Sequence, residues 1–403
     1  MNFALLGNDP AVLPLVSAIT GHSRHALTHA ALPGDLQGEL MRLVPRARIC
    51  GNWDELLLEE RLDAVIVAGH EEGVLEGARQ LAAAGKALVV LPSADQGLDW
   101  VYQLTLVRDD TRVLLVPIFP QQGRPAVRRA LELIQDGQLG TLLHLQFERE
   151  RPPKEPAAGP PLLEREEIER ELLPDVDLLR AFGGDYDQVT AVHSGTVGPR
   201  VSVATVTLAG RNLPEATWTL RAAERARWSL KVTGVGGQLT LECSGADDEP
   251  VLLLGGVRQD LSGVAEDAGT ALLASVEQAL SGERVRPNWS DLTRAFEIVD
   301  ATRRSIARRR TIDQHFETTS ERSLFKTQMT AIGCGVLVFT IFAVILLLIA
   351  GAVFDPGDRA MRIARVLVFL PLFLFLVLQG LLWITRPSAS AVDEESDSTS
   401  GPA

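Results

Sequence analysis

The sequence predicts three parts in order: an α/β domain on a parallel sheet, an α+β domain on a mainly antiparallel sheet, and two transmembrane helices. Three observations predict them. Continuous apolar runs alternate with helix-like runs over residues 1–120. Short alternating runs separated by turn residues follow, from about residue 188 to 257. Two long charge-free runs stand near the end. A length of 403 residues allows two or three domains, and 46% hydrophobic with 23% charged residues suits a folded chain. A formal net charge of −13 argues against general nucleic-acid binding, which needs a basic surface. The three cysteines, Cys50, Cys243 and Cys334, are too far apart for a disulfide framework or a clustered zinc site.

The N-terminal elements follow one another at βα spacing. MNFALLG is a strand ending at Gly7, and Ala11–Ile19 a helix with Asp9 as cap and Pro10 in its first turn. His25–Ala31 reads as a strand, Trp53–Glu60 as a short helix after Asn52, and 62–69 as an apolar strand. Glu71–Ala84 is a helix stopped by Gly85. Strand 87–92, helix Leu98–Val107 and strand 112–119 complete the series. The strands are continuous apolar runs, as expected where helices cover both sheet faces. Residues 1–120 are therefore a Rossmann-like domain.

Such a fold binds a dinucleotide where backbone approaches pyrophosphate at the first turn. Of the G-x-G-x-x-G pattern only Gly7 is present; Asn8, Asp9, Pro10, Ala11 and Val12 fill the rest. Asp9 stands where a second glycine would admit phosphate, and Val12 where a third would allow close helix packing. No acid follows the second strand to hold a ribose; His29 is in that neighbourhood. Gly7, Asn8, Asp9 and His70, the last at the carboxyl edge of the third strand, are the candidate contacts for any ligand in the crevice. His25 and His29 have helical metal-pair spacing but fall in loop and strand, so no metal site is expected. Arg124 and Lys86 are candidate anion contacts.

In the middle domain, helix Pro125–Gln135, strand 141–150, and helices Leu162–Leu173 and Asp175–Phe182 precede about six strands at 188–194, 200–208, 215–221, 228–234, 237–243 and 251–257. Helices Val264–Ser281 and Trp289–Arg310 close it. Asp175 and Asp177, two apart on a helix, point in different directions and read as caps or surface acids rather than a catalytic pair.

Thr327–Phe354 is a run of 28 uncharged residues, about 42 Å as a helix, and 366–385 another of 20. They read as a hairpin in the bilayer over 327–385, after a basic juxtamembrane connector at 311–326 and before a disordered acidic tail at 386–403. Arg303, Arg304, Arg308, Arg309, Arg310, Arg322 and Lys326 place the N-terminal domains and the tail in the cytoplasm. No signal peptide is evident. The bilayer is thus an expected partner, with a multi-pass, two-span topology.

The phrases WDELLLEERLDAVIVAG, LEGARQLAAAGKALVVLP, RRALELIQDGQLGTLLHLQFE, DLLRAFGG and LKVTGVGGQLTLE, in this order over residues 1–310, resemble the Gfo/Idh/MocA family of NAD(P)-dependent oxidoreductases. The resemblance implies a cofactor-binding N-terminal domain, NAD or NADP as cofactor, and at 121–310 a substrate-covering domain whose sheet often mediates oligomers. Its active residues carry over poorly. The catalytic lysine before proline falls on Leu91, and the preceding glutamate on Val90. In the second signature the last aspartate matches Asp177, the histidine falls on Pro174 and the first aspartate on Arg170. The sequence therefore leads to a membrane-anchored, catalytically degenerate scaffold, sensor or binding module at the cytoplasmic membrane face. The alternative is an active NAD(P)-dependent oxidoreductase on a sugar or cyclitol, with an altered site. The ligand itself is not named by the sequence.

Overall fold

The first sheet is parallel and six-stranded, in the order β3-β2-β1-β4-β5-β6. Its elements are β1 (Asn2–Gly7), α1 (Leu13–Gly21), β2 (Ala26–Ala31), α2 (Gln37–Leu43), β3 (Arg48–Cys50), α3 (Asp54–Leu58), β4 (Ala64–Ala68), α4 (Glu72–Ala83), β5 (Leu88–Val90), α5 (Leu98–Thr111) and β6 (Leu115–Pro117). The computed structural model describes residues 1–153, 162–198, 200–245, 248–261, 267–314, 339–346 and 349. The strand order reverses beside β1, which pairs with β2 on one edge and β4 on the other. That places a crevice at the carboxyl ends of β1 and β4. Strands buried on both faces, such as β4 with all five residues covered, explain the unbroken apolar runs. Neither α2 nor β3 is among the elements expected from sequence. A three-residue strand carries no readable period; β3 is held by its register with β2, Ala30 opposite Ile49.

The second part comprises α6 (Pro120–Gly123), α7 (Pro125–Gln135), β7 (Leu142–Arg151), β8 (Leu163–Glu164), α8 (Glu166–Gly183), β9 (Gln188–Ser194), β10 (Arg200–Val201), β11 (Val203–Ala209), β12 (Glu215–Ala222), β13 (Arg227–Gly234), β14 (Gly237–Cys243), β15 (Val251–Leu254), β16 (Val257–Arg258), α9 (Ala268–Leu280), α10 (Trp289–Arg308) and β17 (Ile312–Asp313). Its main sheet is nine-stranded among the described residues, ordered β16-β15-β14-β13-β7-β12-β11-β9-β17. All pairs are antiparallel except β7 with β12 at the centre. Alternate residues such as Ala204, Val206, Leu208, Trp218 and Leu220 are buried on the face covered by α8 and α10.

Three local expectations change. The sequence breaks the helical region at Pro174, yet α8 runs through it from Glu166 to Gly183. An interior proline costs about 3 kcal/mol; the burial of Leu172, Leu173, Val176, Leu178 and Leu179 offsets it. Asp175 and Asp177 are neither caps nor surface acids, being 0% and 2% exposed. Helix α9, distant in sequence, packs on α1, with Leu272, Leu273 and Val276 in one cluster with Phe3, Leu5 and Val16.

The membrane expectation is also corrected. No helix among the described residues is long and apolar enough to cross a membrane. The chain divides into Met1–His315 and Phe316–Ala403, and of the second unit only 339–346 and 349 are described, as helix. The two spans, the bilayer as partner, the two-span localisation and the membrane-face scaffold thus have no spanning helix among the described residues to carry them. The rest of 327–385, and the tail 386–403, lie outside the described residues. Of the connector, 311–314 is described, and Ile312–Asp313 joins the sheet as β17.

Candidate functional site at the crevice and the α8 face

The crevice begins at Gly7, whose φ of 111° is open to glycine. A Cβ there would stand 2.1 Å from the Ala68 carbonyl oxygen, so β1 and β4 close together only with glycine at this position. The turn that follows uses its amides internally. Asp9 N–H donates to Ala68 O at 3.0 Å, and Val12 N–H to Asp9 O at 3.2 Å. Ala11 N–H donates to Asp9 Oδ1 at 2.9 Å, and Pro10 has no N–H. Asp9 is thus a cap, as the sequence suggests, on a 3-10 turn at Pro10–Val12 rather than on α1 itself.

Asn8 reaches across the crevice. Its side chain lies against Gly34 and Gly69, both at positive φ, and hydrogen-bonds Glu71. Burial alone would raise the Glu71 carboxyl, but bonds from its own backbone, from Asn8 and from the His70 N–H outweigh that and hold it below the usual range. His70 itself is exposed. Behind them the buried Gln96 ties two strand ends together. Its Nε2 donates to Gly69 O and Leu91 O, each at 3.0 Å. Sequence reasoning missed Gln96; the only signal was a Ser93–Gln96 capping box.

A dinucleotide meets mixed conditions here. Gly7, Gly34 and Gly69 leave backbone without Cβ atoms, and the nearest groups at Gly34 and Gly69 are the ends of the Asn8 and Glu71 side chains, which can swing away. The residues therefore fit the group in shape. Asp9 and Glu71 oppose its charge, so the fit is a weak one.

The second half of the site lies along α8. Arg170, Pro174 and Asp177 are spaced i, i+4, i+7 and share one helix face. Arg170 Nε donates to Asp95 Oδ1 at 3.1 Å and Oδ2 at 2.9 Å, in the turn after β5. Asp177 Oδ2 accepts from Gln122 Nε2 at 2.5 Å, in α6 after β6. Burial pushes the Asp177 carboxyl up to about 7, against the lowering effects of the Gln122 hydrogen bond and the Arg180 charge. Asp175 faces the sheet instead, paired with Arg149 and accepting from Trp218 Nε1 at 2.8 Å. Leu91 is buried in the apolar cluster with Val89 and Ile118.

Other sequence candidates are occupied elsewhere. Lys86 Nζ donates to Glu59 O, and Arg124 to Asp248 O. His25 Nε2 lies 2.7 Å from Glu277, and His29 Nε2 3.8 Å from Glu59. A cavity of about 410 Å³ sits beside β6 and α9, and Ile118, Gln122 and Leu272 are among the residues that line it.

Solved structures share this architecture. A myo-inositol dehydrogenase from Corynebacterium glutamicum is 18% identical at a TM-score of 0.60, covering 79% of this chain and 99% of that one. A myo-inositol 2-dehydrogenase from Lactobacillus plantarum is 16% identical at 0.59, covering 78% and 99%. An oxidoreductase from Agrobacterium radiobacter, solved with NAD+, L-tartaric acid and magnesium, is 14% identical at 0.60, covering 78% and 98%. The fold is the one that these two dehydrogenases and this oxidoreductase share. Identity this low shows the fold alone. No family model and no curated protein matches the sequence.

Proposed function

We propose that the chain is an NAD(P)-dependent oxidoreductase with an altered active site, acting on a hydroxylated small molecule such as a sugar or cyclitol. The observation that carries this reading is Asp177. It is a buried carboxyl on the α8 face, at the position the resemblance gives to the last signature aspartate, with a pKa raised to about 7. A general base works best when its pKa lies near the operating pH. The dehydrogenases of like fold, and the Agrobacterium structure with NAD+, support the cofactor and the substrate class.

Gly7, Asn8 and His70 are the residues that would hold the dinucleotide, against the charge of Asp9 and after the Asn8 and Glu71 side chains move aside. Bound nicotinamide supplies the hydride acceptor. Asp177 takes the proton of the substrate hydroxyl, and Gln122 fixes which carboxylate oxygen is turned away from that task. Leu91 and Pro174 hold no proton, so Asp177 is asked to do alone what a lysine and a histidine share in the resembling family.

The test is direct titration of the full chain with NADH and NADPH, following energy transfer from tryptophan to nicotinamide, and then turnover of polyols. Turnover that falls by about 100-fold or more in Asp177→Asn supports the assignment. An absence of binding at millimolar cofactor refutes it.

A further inference from the structure

β6 is the last strand in the order of the parallel sheet, so its outer edge meets no other strand there. Toward it α9 turns Ala271, Ala274, Ser275 and Gln278, which share one helix face. At the start of α9 the packing is close: a Cβ on Gly123 would stand 2.8 Å from Ala268 O and 2.9 Å from Leu272 Cγ. Further along, the small side chains of α9 leave the cavity of about 410 Å³. Small-molecule sites span about 300–1,000 Å³, so the volume suits one. Val116, Ile118, Phe119, Leu131 and Val285 give it apolar walls, and Arg128 and Arg286 bring two guanidinium groups. Among the described residues no Asp or Glu lines it, in a chain whose formal net charge is −13. A second cavity, of about 540 Å³, adjoins it and shares Val116, Pro117, Val285, Arg286 and Pro287. Arg286 thus stands in the wall common to both. It is exposed and makes no hydrogen bond or ion pair among the described residues, not even with Glu283, the acid of the second cavity.

We propose that the cavity between β6, α7 and α9 binds a small amphipathic anion, a carboxylate or phosphate ester on a bicyclic apolar body, with the anionic group on Arg286 and the body against Val116, Ile118 and Phe119. A guanidinium fork pairs with either head group in bidentate fashion. Partial enclosure lowers the effective dielectric, so the attraction exceeds that at an open surface. An inorganic anion alone leaves the apolar walls wet, and a neutral polyol sets its hydroxyls against them. The site is separate from the crevice, since neither Gly7, Asn8, Asp9 or His70 nor any residue of α8 lines it. It therefore goes beyond the oxidoreductase reading and does not depend on it. Gln122 belongs to both places: it lines the cavity, and its Nε2 donates to Asp177 Oδ2.

The experiment is isothermal titration of the full chain with naphthaleneacetate and naphthyl phosphate, against naphthaleneethanol, acetate and inorganic phosphate. At least one of the two ring anions is expected to bind about tenfold tighter than every control, because only they carry both the charge and the body. The tighter of the two names the head group. Arg286→Gln should weaken that binding about tenfold, and the arginine is exposed and unbonded, so the fold is kept. Ala274→Leu puts a strong helix former into the gap and should weaken it by about tenfold as well. An unchanged melting temperature in both variants separates lost binding from lost structure. Equal binding of naphthaleneethanol or of inorganic phosphate, no binding of either ring anion, or undiminished binding in either variant overturns the inference. The nicotinamide titration is read separately. Cofactor binding without ring-anion binding sinks this inference alone, and ring-anion binding without cofactor binding sinks the redox reading alone.

Discussion

Replacing Asp177 by asparagine tests the site through stability, independently of any substrate. The wild-type carboxyl has its pKa raised from 3.8 to about 7 in the folded chain, chiefly by burial. A raised acid favours the neutral form in the folded state. The contribution is therefore fully present below about pH 4 and is lost as pH rises toward 7. A shift of about three units corresponds to about 4 kcal/mol between those limits. Asparagine has nearly the same shape, is neutral throughout, and keeps an oxygen for Gln122 Nε2 to donate to. Its new N–H group is left to find an acceptor, which costs about 1 kcal/mol. The variant should thus match the wild type within about 1 kcal/mol at pH 4 and exceed it by about 2–4 kcal/mol at pH 8. Urea unfolding followed by tryptophan fluorescence at pH 4, 6 and 8 measures this, with an unchanged slope as the sign that only stability has moved. A difference that stays constant across the three pH values would refute the reasoning, because it would mean that Asp177 ionises in the folded chain as readily as in the unfolded one.

Arg149→Met leaves the fully buried Asp175 with the Trp218 N–H but without its counter-charge, and should cost about 3–5 kcal/mol in the same unfolding assay; the double variant with Asp175→Asn should recover most of it. Gly7→Ala forces a Cβ to within 2.1 Å of a backbone carbonyl at φ 111°, so the melting temperature should fall and the loss should exceed about 2 kcal/mol. Asp9→Gly removes one charge from the pyrophosphate approach, and the NADH dissociation constant should fall about three- to tenfold at low salt, less at high salt. An unchanged constant would show that Asp9 does not face the dinucleotide.

The parallel sheet was legible because burial on both faces leaves a signature that needs no context: β1, β4 and β5 are uninterrupted apolar runs. The wide sheet was legible strand by strand but not in its width or centre. Short edge strands such as β16 and β17 carry no pattern, and the parallel pairing of β7 with β12 is a tertiary choice. Residue 174 misled the helix reading because propensity is local whereas the burial that holds α8 together is not. The resemblance sets its lysine and histidine at Leu91 and Pro174, but it says nothing of what Arg170 and Asp177 bond to. Asp95 and Gln122 are unremarkable in sequence, and only the fold brings them to the α8 face from the turns after two neighbouring strands. The membrane reading came from charge-free length, a property of composition that states what a segment tolerates, not what helix it forms.

The two ties of α8 to the turns after β5 and β6 are unequal, and that inequality has a consequence. The Arg170–Asp95 tie is about one-third exposed on either side, and a pair of that kind is worth about 0–1 kcal/mol. The Asp177–Gln122 tie holds a carboxyl that is only 2% exposed, and breaking it strands a buried group. An anion that competes for Arg170 therefore costs the fold little, whereas displacing Gln122 from Asp177 strips a buried acid of its donor.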